Sequence, residues 1–387
     1  MKILRVEFEN LSHFEGGKFK VDFFATDRVL SGNNLYKISK PVHTHNTIGF
    51  IGLNATGKTT ALRLIKIALN VTINNADLNS LGITNIIQDG TIMRVTFFHN
   101  KVFYQLESVI GNHKELGTTV KSGYYYKEEI LSSKTKSQVQ TRADLNEFNE
   151  PMIIRSKLTP SEKNYLDDGK SVIAPVIKGN DCFVGDNLFF NYINVMNTFG
   201  TTPAPIIELF DESIEILSLE GNDGDKDWKW NLKFKQDSRK YNSTDPILLN
   251  RLVSTGTIRG QGLISMAIEA LRTGGYLIID ELEMHLNKEI VRFILSLFKE
   301  RRTNPNGACL VFTTHYAEVL DFAVFDRKDN LYVTRKTEGL LSATNFSAQC
   351  TRNDFKKSEL ILSNALSGTA PKYNAIQRLR DFVCESL

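Results

Sequence analysis

Hydrophobic and polar positions follow three different patterns along the chain, and the first pattern covers residues 1–131. MKILRVEFEN alternates like a strand, NTIGFIG is a short apolar run typical of a buried strand, and KTTALRLIKIALN has the spacing of an amphipathic helix. The stretch TIMRVTFFHNKVFYQLESV predicts a hairpin that turns at Asn100. We therefore expect an N-terminal antiparallel β subdomain and short strands around one strong helix.

The middle region, residues 132–249, is more polar and less regular. It contains the polar segment PSEKNYLDDGK and the strand-like segment WKWNLKFK, and it shows no internal repeat. Because this region separates two parts of the chain that have a clear α/β rhythm, we interpret it as an inserted second lobe.

The α/β rhythm returns over residues 250–387. The helix QGLISMAIEALR stops at the glycine pair 274–275, and the strand YLIID, the helix KEIVRFILSLFKERR and the strand CLVFTTH follow. The second helix is expected to pack on one side only, through Ile290, Phe293, Ile294, Leu297 and Phe298. Both strands are apolar throughout, as in strands buried on both faces of a parallel sheet. The predicted fold class is α/β, with a mixed or parallel sheet as its core.

Composition narrows the class of protein further. Hydrophobic residues make up 41% and charged residues 24%, which is ordinary for a globular protein. No apolar run is long enough to span a bilayer, and the N-terminus lacks the apolar core of a signal peptide, so we expect a cytoplasmic protein without a membrane partner. The four cysteines are far apart and do not have metal-binding spacing. The net charge of +3 neither demands nor excludes nucleic acid.

Residues 52–59 read GLNATGKT and match the phosphate-binding pattern GxxxxGK[ST] between a predicted strand and a predicted helix. In this pattern, backbone N–H groups and the positive end of the helix dipole surround the phosphates. Lys58 should reach the β- and γ-phosphates, and Thr59 should place its hydroxyl on Mg²⁺, so the motif predicts ATP and Mg²⁺ as ligands. The predicted nucleotide-binding residues are Gly52, Asn54, Ala55, Thr56, Gly57, Lys58, Thr59 and Thr60.

Polar side chains end two of the predicted buried strands. In a P-loop enzyme, Asp280 would hold Mg²⁺ together with Thr59, and Glu281 would act as general base on the attacking water. His315 ends CLVFTTH at the same edge of the predicted sheet, where ligands bind, and would sense the γ-phosphate. Taken alone, the acids would favour the interpretation of a helix-capping carboxylate, and the histidine that of a satisfied polar strand end. Together with the P-loop they favour a catalytic site built from Lys58, Glu281 and His315.

The order of these motifs resembles the ABC-type ATPase superfamily in its soluble branch, alongside RecF and the SMC-like ATPase heads. Within that branch the chain is similar to the overcoming-lysogenization-defect (OLD)-like, or AAA15/AAA21-type, group associated with bacterial anti-phage defence. The corresponding pieces are ENLSHF at residues 9–14, VSTGT at 253–257 (the signature segment), DELEMHLNK at 280–288, TTHYAEVL at 313–320 and DRKDNLYVTRKTEG at 326–339. Asn287 and Lys288 stand where this group usually has His-Pro.

The resemblance implies an ABC-type ATPase head that works as a homodimer with two ATP molecules between the subunits. It implies that Ser254 and Gly256 bind the γ-phosphate of the ATP held by the second subunit, that Glu281 is the catalytic base and that His315 is the switch histidine. The family also has a glutamine that couples Mg²⁺ to the lobe. The sequence does not choose among Gln88, Gln105, Gln138 and Gln140 for that role, and it leaves a larger assembly open.

Three functions fit these motifs. The first, which the motif set favours, is a defence ATPase whose ATP-driven dimer acts as a sensor or scaffold for a separate effector. The stretch after His315 is too short for the nuclease domain of longer OLD-like proteins, so a nuclease or toxin would be another chain. The second is a RecF-like ATP-dependent DNA-binding protein in repair or replication, and the third is a regulator that binds ATP but scarcely hydrolyses it. The candidate DNA contacts, for which a solvated strand face is the favoured alternative, are Lys229, Lys233, Lys235, Arg239 and Lys240.

Overall fold

The computed structural model describes residues 1–29, 35–113, 123–189, 200–221, 228–321, 327–350, 356–366, 369 and 373–386. Over these ranges the chain has an α/β architecture with two six-stranded sheets, one four-stranded sheet and one two-stranded ribbon. Asp326, which begins the last of the family-like stretches, lies outside the described residues. No helix in the described ranges combines the length and the apolar character needed to cross a membrane.

The described residues contain both strands and α-helices. The strands are β1 (Lys2–Glu9), β2 (Phe19–Asp22), β3 (Leu35–Lys37), β4 (His43–His45), β5 (Thr47–Ile51), β6 (Thr91–His99), β7 (Val102–Asn112), β8 (Tyr124–Thr135), β9 (Pro151–Ile154), β10 (Val184–Asn187), β11 (Gly200–Thr201), β12 (Ile214–Glu220), β13 (Lys229–Phe234), β14 (Lys240–Ser243), β15 (Tyr276–Ile279), β16 (Cys309–Thr314), β17 (Leu331–Thr337) and β18 (Leu340–Asn345). The helices are α1 (Lys58–Asn74), α2 (Pro160–Asn164), α3 (Ala174–Ile177), α4 (Ala204–Phe210), α5 (Pro246–Leu252), α6 (Thr255–Thr273), α7 (Lys288–Lys299), α8 (Phe346–Gln349), α9 (Lys357–Leu362) and α10 (Tyr373–Ser386).

The first six-stranded sheet is antiparallel throughout and has the strand order β2-β1-β6-β7-β8-β9. It contains the predicted hairpin, in which β6 and β7 pair with Phe98 opposite Phe103. The two turn residues, Asn100 and Lys101, both have positive φ angles, of 47° and 65°, as a two-residue type I′ turn requires. The antiparallel pairing expected for the N-terminal region is therefore present.

The second six-stranded sheet is mixed and has the order β10-β15-β16-β5-β17-β18. Its first five strands run parallel, and only β18 is antiparallel to its neighbour. Phe50 and Ile278 face the core around α1, whereas Leu277 and Phe312 face the core around α6 and α7. This confirms that the apolar strands are buried on both faces. The carboxyl ends of β5, β15 and β16 consequently meet at one edge of the sheet.

α6 begins earlier in the chain than the hydrophobic pattern predicts. The predicted helix starts at Gln261, but the observed helix starts at Thr255 and ends before Gly274, which has a φ of 66°. Ser254 is the N-cap residue, and its hydroxyl accepts a hydrogen bond from the backbone N–H of Thr257. The signature segment is therefore the capped first turn of α6 and not a loop that precedes it.

α7 lies where it is predicted, but its buried face is rotated. The side chains at full burial are Val291, Ile294, Leu295 and Phe298. Phe293, which the pattern placed in the core, is 43% exposed. Two overlapping apolar stripes fit this short helix, and the one buried against the core is centred on Ile294 and Leu295.

The middle region does not form one separate unit. β8 crosses the predicted boundary at residue 132, β9 extends the antiparallel sheet, and β10 is the edge strand of the mixed sheet. A sheet of its own, β11-β12-β13-β14, occupies only residues 200–243. Its inner side chains, including Leu217 and Trp230, pack with Leu249 and with Ile258 of α6. Within the predicted range, a separate sheet therefore occupies only residues 200–243.

Candidate active site

The glycine-rich loop connects β5 to α1 at the edge of the mixed sheet. β5 ends at Ile51, and α1 begins at Lys58. Gly57 is the N-cap residue of α1 and has a φ of 89°, a left-handed conformation that favours glycine. No side chain caps this helix start among the described residues. The N–H groups of the first turn of α1 therefore have no side-chain cap and are suited to an anionic ligand.

Lys58 is folded back over the loop. Its Nζ atom donates to the carbonyl oxygens of Gly52 and Leu53, each at 2.9 Å. Burial lowers the pKa of Lys58, while the carboxylates of Asp280 and Glu281 oppose part of that shift. The ammonium group is thus held at the loop, where it interacts electrostatically with the predicted Mg²⁺ ligand Asp280 and the predicted base Glu281.

β17 contacts the glycine-rich loop on the side that faces away from the cleft. The hydroxyl of Thr56 donates to the carbonyl oxygen of Leu53 at 2.7 Å and lies 2.8 Å from the hydroxyl of Thr334 on β17. Gly52 packs directly against Thr334. These contacts fix the curvature of the loop through groups that do not reach the cleft.

Asp280 joins the loop to the neighbouring strands. The hydroxyl of Thr59 donates to Asp280 Oδ2 at 2.5 Å, and the hydroxyl of Thr313 on β16 donates to Asp280 Oδ1. A threonine hydroxyl beside a carboxylate supplies the oxygen ligands that Mg²⁺ takes in nucleotide sites, where phosphates and water complete the coordination. The residues predicted to hold Mg²⁺ are therefore adjacent, and their chemistry fits that ion.

Glu281 and His315 meet at the open side of the same site. Glu281 has a φ of 48°, an uncommon backbone conformation for this residue type. Its backbone N–H donates to the hydroxyl of Thr313 at 2.8 Å, and its carboxylate lies 3.4 Å from His315 Nε2. Both side chains are partly exposed. The carboxylate predicted to be the base is thus within reach of the cleft and of a histidine.

These groups surround a cleft of about 670 Å³, within the size range of small-molecule sites. Of the predicted site residues, those that line it are Asn54, Ala55, Gly57, Lys58, Thr59, Thr60, Asp280, Glu281 and His315. The opposite wall carries His13, Phe14, Asn85, Ile86 and Lys336. Gly52 and Thr56, on the side of the loop that contacts Thr334, do not line the cleft.

Ser254 and Gly256 do not line the cleft either. Ser254 Oγ accepts the backbone N–H of Thr257 at 3.1 Å and lies 2.8 Å from the Thr257 hydroxyl. A Cβ atom on Gly256 would lie 2.5 Å from the carbonyl oxygen of His285. The structure therefore gives Gly256 an internal reason to be glycine, which the sequence interpretation did not include.

Sequence reasoning missed three residues that organise this edge of the sheet. Thr313 bridges Asp280 and the backbone of Glu281, as described above. Glu283 accepts the backbone N–H of His315 at 2.6 Å. Arg259 of α6 is buried and donates to backbone carbonyls of residues 280, 281 and 284. The only sequence signal for Arg259 was a cation in an otherwise small and neutral stretch.

None of the four candidate glutamines lines the cleft. Gln105 donates to Thr96 within the antiparallel sheet, and Gln138 and Gln140 take part in local turn contacts. Gln88 lies closest along the chain to the cleft wall, which carries the amide of Asn85 instead. The structure thus selects no glutamine for the coupling role.

The candidate DNA-contacting cations lie on and around β13 and β14. Lys233 pairs with Glu215 at 2.6 Å, and Arg239 pairs with Asp237 at 3.0 Å. The aromatic side chain of Trp230 is fully buried beneath this face. Carboxylates therefore partly neutralise this surface, as in the favoured alternative of a solvated strand face.

The mixed sheet, the glycine-rich loop before α1 and the acid at the end of β15 fit the P-loop NTPase class. A family model described as "AAA domain, putative AbiEii toxin, Type IV TA system", a P-loop ATPase family, matches residues 189–321, about a third of the chain. The match contains the signature segment and the carboxylates but begins after residues 52–59, so the glycine-rich loop is separate support for the class. A search of curated proteins finds no match.

Proposed function

We propose that this chain is an ABC-type ATPase that hydrolyses ATP with Mg²⁺. One observation carries the proposal: a single cleft contains Lys58 on a glycine-rich loop, the Thr59–Asp280 contact and the Glu281–His315 pair. These are the groups needed to hold phosphates, to hold Mg²⁺ and to activate water. The family description, an AAA domain, supports the broader class of P-loop ATPases.

In the proposed reaction, water attacks the γ-phosphorus of ATP. Glu281 takes a proton from the water as the new P–O bond forms and the bond to the β–γ bridging oxygen breaks, which leaves ADP and inorganic phosphate. Lys58 and the N–H groups at the start of α1 stabilise the phosphate charge. His315 borders the same space and contacts Glu281, so it can orient that carboxylate. Mg²⁺, held by Thr59 and Asp280, supplies charge neutralisation when bound.

We further propose that two copies pair around two ATP molecules, with Ser254 and Gly256 of each copy facing the nucleotide of the other. Two features support this arrangement: neither residue lines the cleft of its own chain, and both lie in the first turn of a helix, where anions are favoured. The proposed domain organisation is an ABC-type head interrupted by a small lobe, residues 200–243, instead of the whole range 132–249.

The proposed role of this ATPase is to control a separate effector in bacterial anti-phage defence, in the cytoplasm. The matching family's description names an AbiEii toxin and a type IV toxin–antitoxin system. The OLD-like resemblance supports the same role. The gene neighbourhood tests it: an adjacent toxin, nuclease or reverse transcriptase gene would support effector control, whereas adjacent replication genes would favour the RecF-like DNA-binding function.

Phosphate release and light scattering on the purified chain test the ATPase and the dimer together. We expect ATP with Mg²⁺ to convert monomers into dimers and the turnover per chain to rise with protein concentration until dimers saturate. Glu281→Gln preserves the shape of the side chain but removes the base. This variant should therefore accumulate as ATP-bound dimers, and its turnover should be lower by roughly 100-fold or more. Wild-type turnover in Glu281→Gln would place the base elsewhere, and turnover independent of protein concentration would reject the dimer.

A further inference from the structure

The guanidinium of Arg259 contacts the backbone that carries the proposed Mg²⁺ ligand Asp280 and the proposed base Glu281. Arg259 lies in the second turn of α6 and is 2% exposed. It donates to the carbonyl oxygens of Asp280 at 3.0 Å, of Glu281 at 2.9 Å and of Met284. A single buried side chain of the helix that begins with the signature segment therefore contacts three peptide groups of residues 280–285.

The start of α6 contacts the far end of the same segment. The backbone of Gly256 packs so closely on His285 that a Cβ atom would lie 2.5 Å from the His285 carbonyl oxygen. His285 has a φ of 60°, so the chain turns sharply at this contact. With Arg259 at one end and Gly256 at the other, α6 and residues 280–285 are in contact along the length of the segment.

The same segment is also tied to the strand that ends in His315. Glu283 Oε1 accepts the backbone N–H of His315, while Glu283 Oε2 is buried without a hydrogen-bond partner among the described residues. Burial lowers the pKa of Arg259 to about 10, against the opposing effect of the Glu283, Glu281 and Asp280 carboxylates. Arg259 is thus a buried cation that contacts the backbone of residues 280–284 and interacts electrostatically with the carboxylates of Asp280, Glu281 and Glu283.

We propose that Arg259 is a positioning residue that couples engagement of the signature segment to the placement of Glu281 in the same chain. This inference rests on the proposed ATPase dimer. In that dimer, the signature segment of one chain contacts the partner's ATP, while Glu281 of that chain acts on its own ATP. Arg259 connects α6, which carries the signature segment, to the backbone of Glu281. Contact of the signature segment with the partner's ATP therefore adjusts the position of Glu281 at the chain's own ATP. Dimer formation then accelerates hydrolysis through Arg259.

The alternative is that Arg259 only stabilises the fold, and its variants distinguish the two roles. Arg259→Gln keeps hydrogen-bonding capacity but loses the positive charge and the planar guanidinium group, whose N–H donors contact several carbonyls at once. Arg259→Lys keeps the charge and can reach one carbonyl at a time. Arg272→Gln is the matched control, because Arg272 lies on the same helix but is exposed and pairs with Glu269. Thermal unfolding of each variant separates loss of fold from loss of coupling.

The test compares turnover per chain with dimer content over a series of protein concentrations. We expect Arg259→Gln to bind a fluorescent ATP analogue as the wild type does and to form dimers. The turnover of these dimers should be lower by roughly tenfold or more, and turnover per chain should not rise with protein concentration. Arg259→Lys should be intermediate, and Arg272→Gln should match the wild type.

Two results would overturn the proposal. One is turnover of Arg259→Gln that rises with protein concentration as in the wild type. The other is a folded, ATP-binding Arg259→Gln that forms no dimers, because Arg259 would then act at the interface and not on Glu281. If Arg259→Gln does not fold, the same two outcomes apply to Arg259→Lys. Absence of ATP-driven dimers in the wild type would instead reject the dimer in the proposed function, so the two failures are distinguishable.

Discussion

The starts of α1 and α6 are two helix N-termini with similar sequences and different surroundings. Both contain glycine and threonine, and both are candidates for phosphate contacts. The start of α1 has a glycine N-cap and no side-chain cap in the described structure, so its N–H groups border the cleft. The start of α6 is capped by Ser254 and packs through Gly256 against His285. The first is shaped to receive a ligand, whereas the second is already satisfied within its own chain.

This difference indicates two kinds of phosphate contact. At α1 the ligand supplies the missing hydrogen-bond acceptors, so binding is expected to be strong and to need no partner chain. At α6 the Ser254 hydroxyl already accepts the backbone N–H of Thr257 and shares a hydrogen bond with the Thr257 hydroxyl, so less of its hydrogen-bonding capacity remains for an outside oxygen. We therefore expect the second contact to be weaker, and to act chiefly by moving a helix that Arg259 connects to Glu281.

The largest expected effect is at the α1 start. Lys58→Ala removes the only cation buried in the loop, and the loss of its charge-assisted hydrogen bonds should weaken ATP binding roughly 100-fold, or about 3 kcal/mol. A titration with a fluorescent ATP analogue measures this. Lys66→Ala is the matched control, because Lys66 lies on the same helix and pairs with Asp186, outside the cleft. Equal affinities for the two variants would refute the phosphate-binding assignment of the loop.

The next effect separates the α6 start from the α1 start. Aspartate caps helices as well as serine does, so Ser254→Asp should leave the melting temperature nearly unchanged. Its negative charge should repel the partner's γ-phosphate, so ATP binding by the monomer should persist while ATP-driven dimers disappear from light-scattering profiles. Thr159→Asp, at the N-cap of α2, adds the same charge elsewhere and should dimerise normally. Dimerisation of Ser254→Asp would remove this segment from the interface.

Gly256→Ala tests the internal contact of the α6 start. The added Cβ meets the carbonyl oxygen of His285, a backbone atom that cannot rotate away, so the free energy of unfolding should fall by roughly 1–3 kcal/mol. Gly262→Ala is the matched control on the same helix. A Cβ there meets nothing within 4 Å, so it should raise the free energy of unfolding by roughly 0.5–1 kcal/mol. Urea unfolding measures both, and equal stabilities would contradict the described packing. Because a larger side chain at position 256 would also lower stability, a substitution there does not test dimerisation alone.

The smallest effect is the pH dependence of the two contacts. Burial lowers the pKa of Lys58 below the ordinary lysine value of 10.5. As pH rises from neutral toward 10.5, Lys58 in the free protein loses its proton earlier than an exposed lysine, and ATP affinity should fall within that window. Residues 254–257 have no titratable side chain, so dimerisation of ATP-saturated chains should change less over the same window. Calorimetric titrations at several pH values measure the first effect, and a constant ATP affinity would contradict it.

The sequence predicted the elements whose identity depends on neighbours along the chain. The strands β5, β15 and β16 are apolar throughout, and the loop between β5 and α1 has a residue pattern that few other structures share. The start of α6 was predicted too late because the segment contains Gly256, Gly260 and threonines, which are poor helix formers. Its cap and its contact with His285 compensate for that low propensity, and both depend on the folded structure.

The missed site residues share one physical feature, which is that their partners are distant in sequence. Arg259 bonds to carbonyl oxygens at residues 280–284, and Thr313 bonds to Asp280. Backbone carbonyls are present at every residue, so no sequence pattern marks the ones that receive a buried cation. The extent of the lobe was misjudged for a similar reason, since the pairing of β10 with β15 cannot be seen in the sequence of either strand.

The position of β5 in the mixed sheet also affects when the active site can form during synthesis. β5 lies between β16 and β17, with Thr47 paired to Leu310 and Gly49 paired to Leu331. At translation rates of about 5–20 residues per second, the strand that precedes the glycine-rich loop leaves the ribosome roughly 15 seconds to a minute before its two neighbours. A nascent chain stopped before residue 309 contains the complete loop sequence but lacks both strands that hold it. We therefore expect the proposed ATP binding only after β17, which ends at Thr337, has been translated.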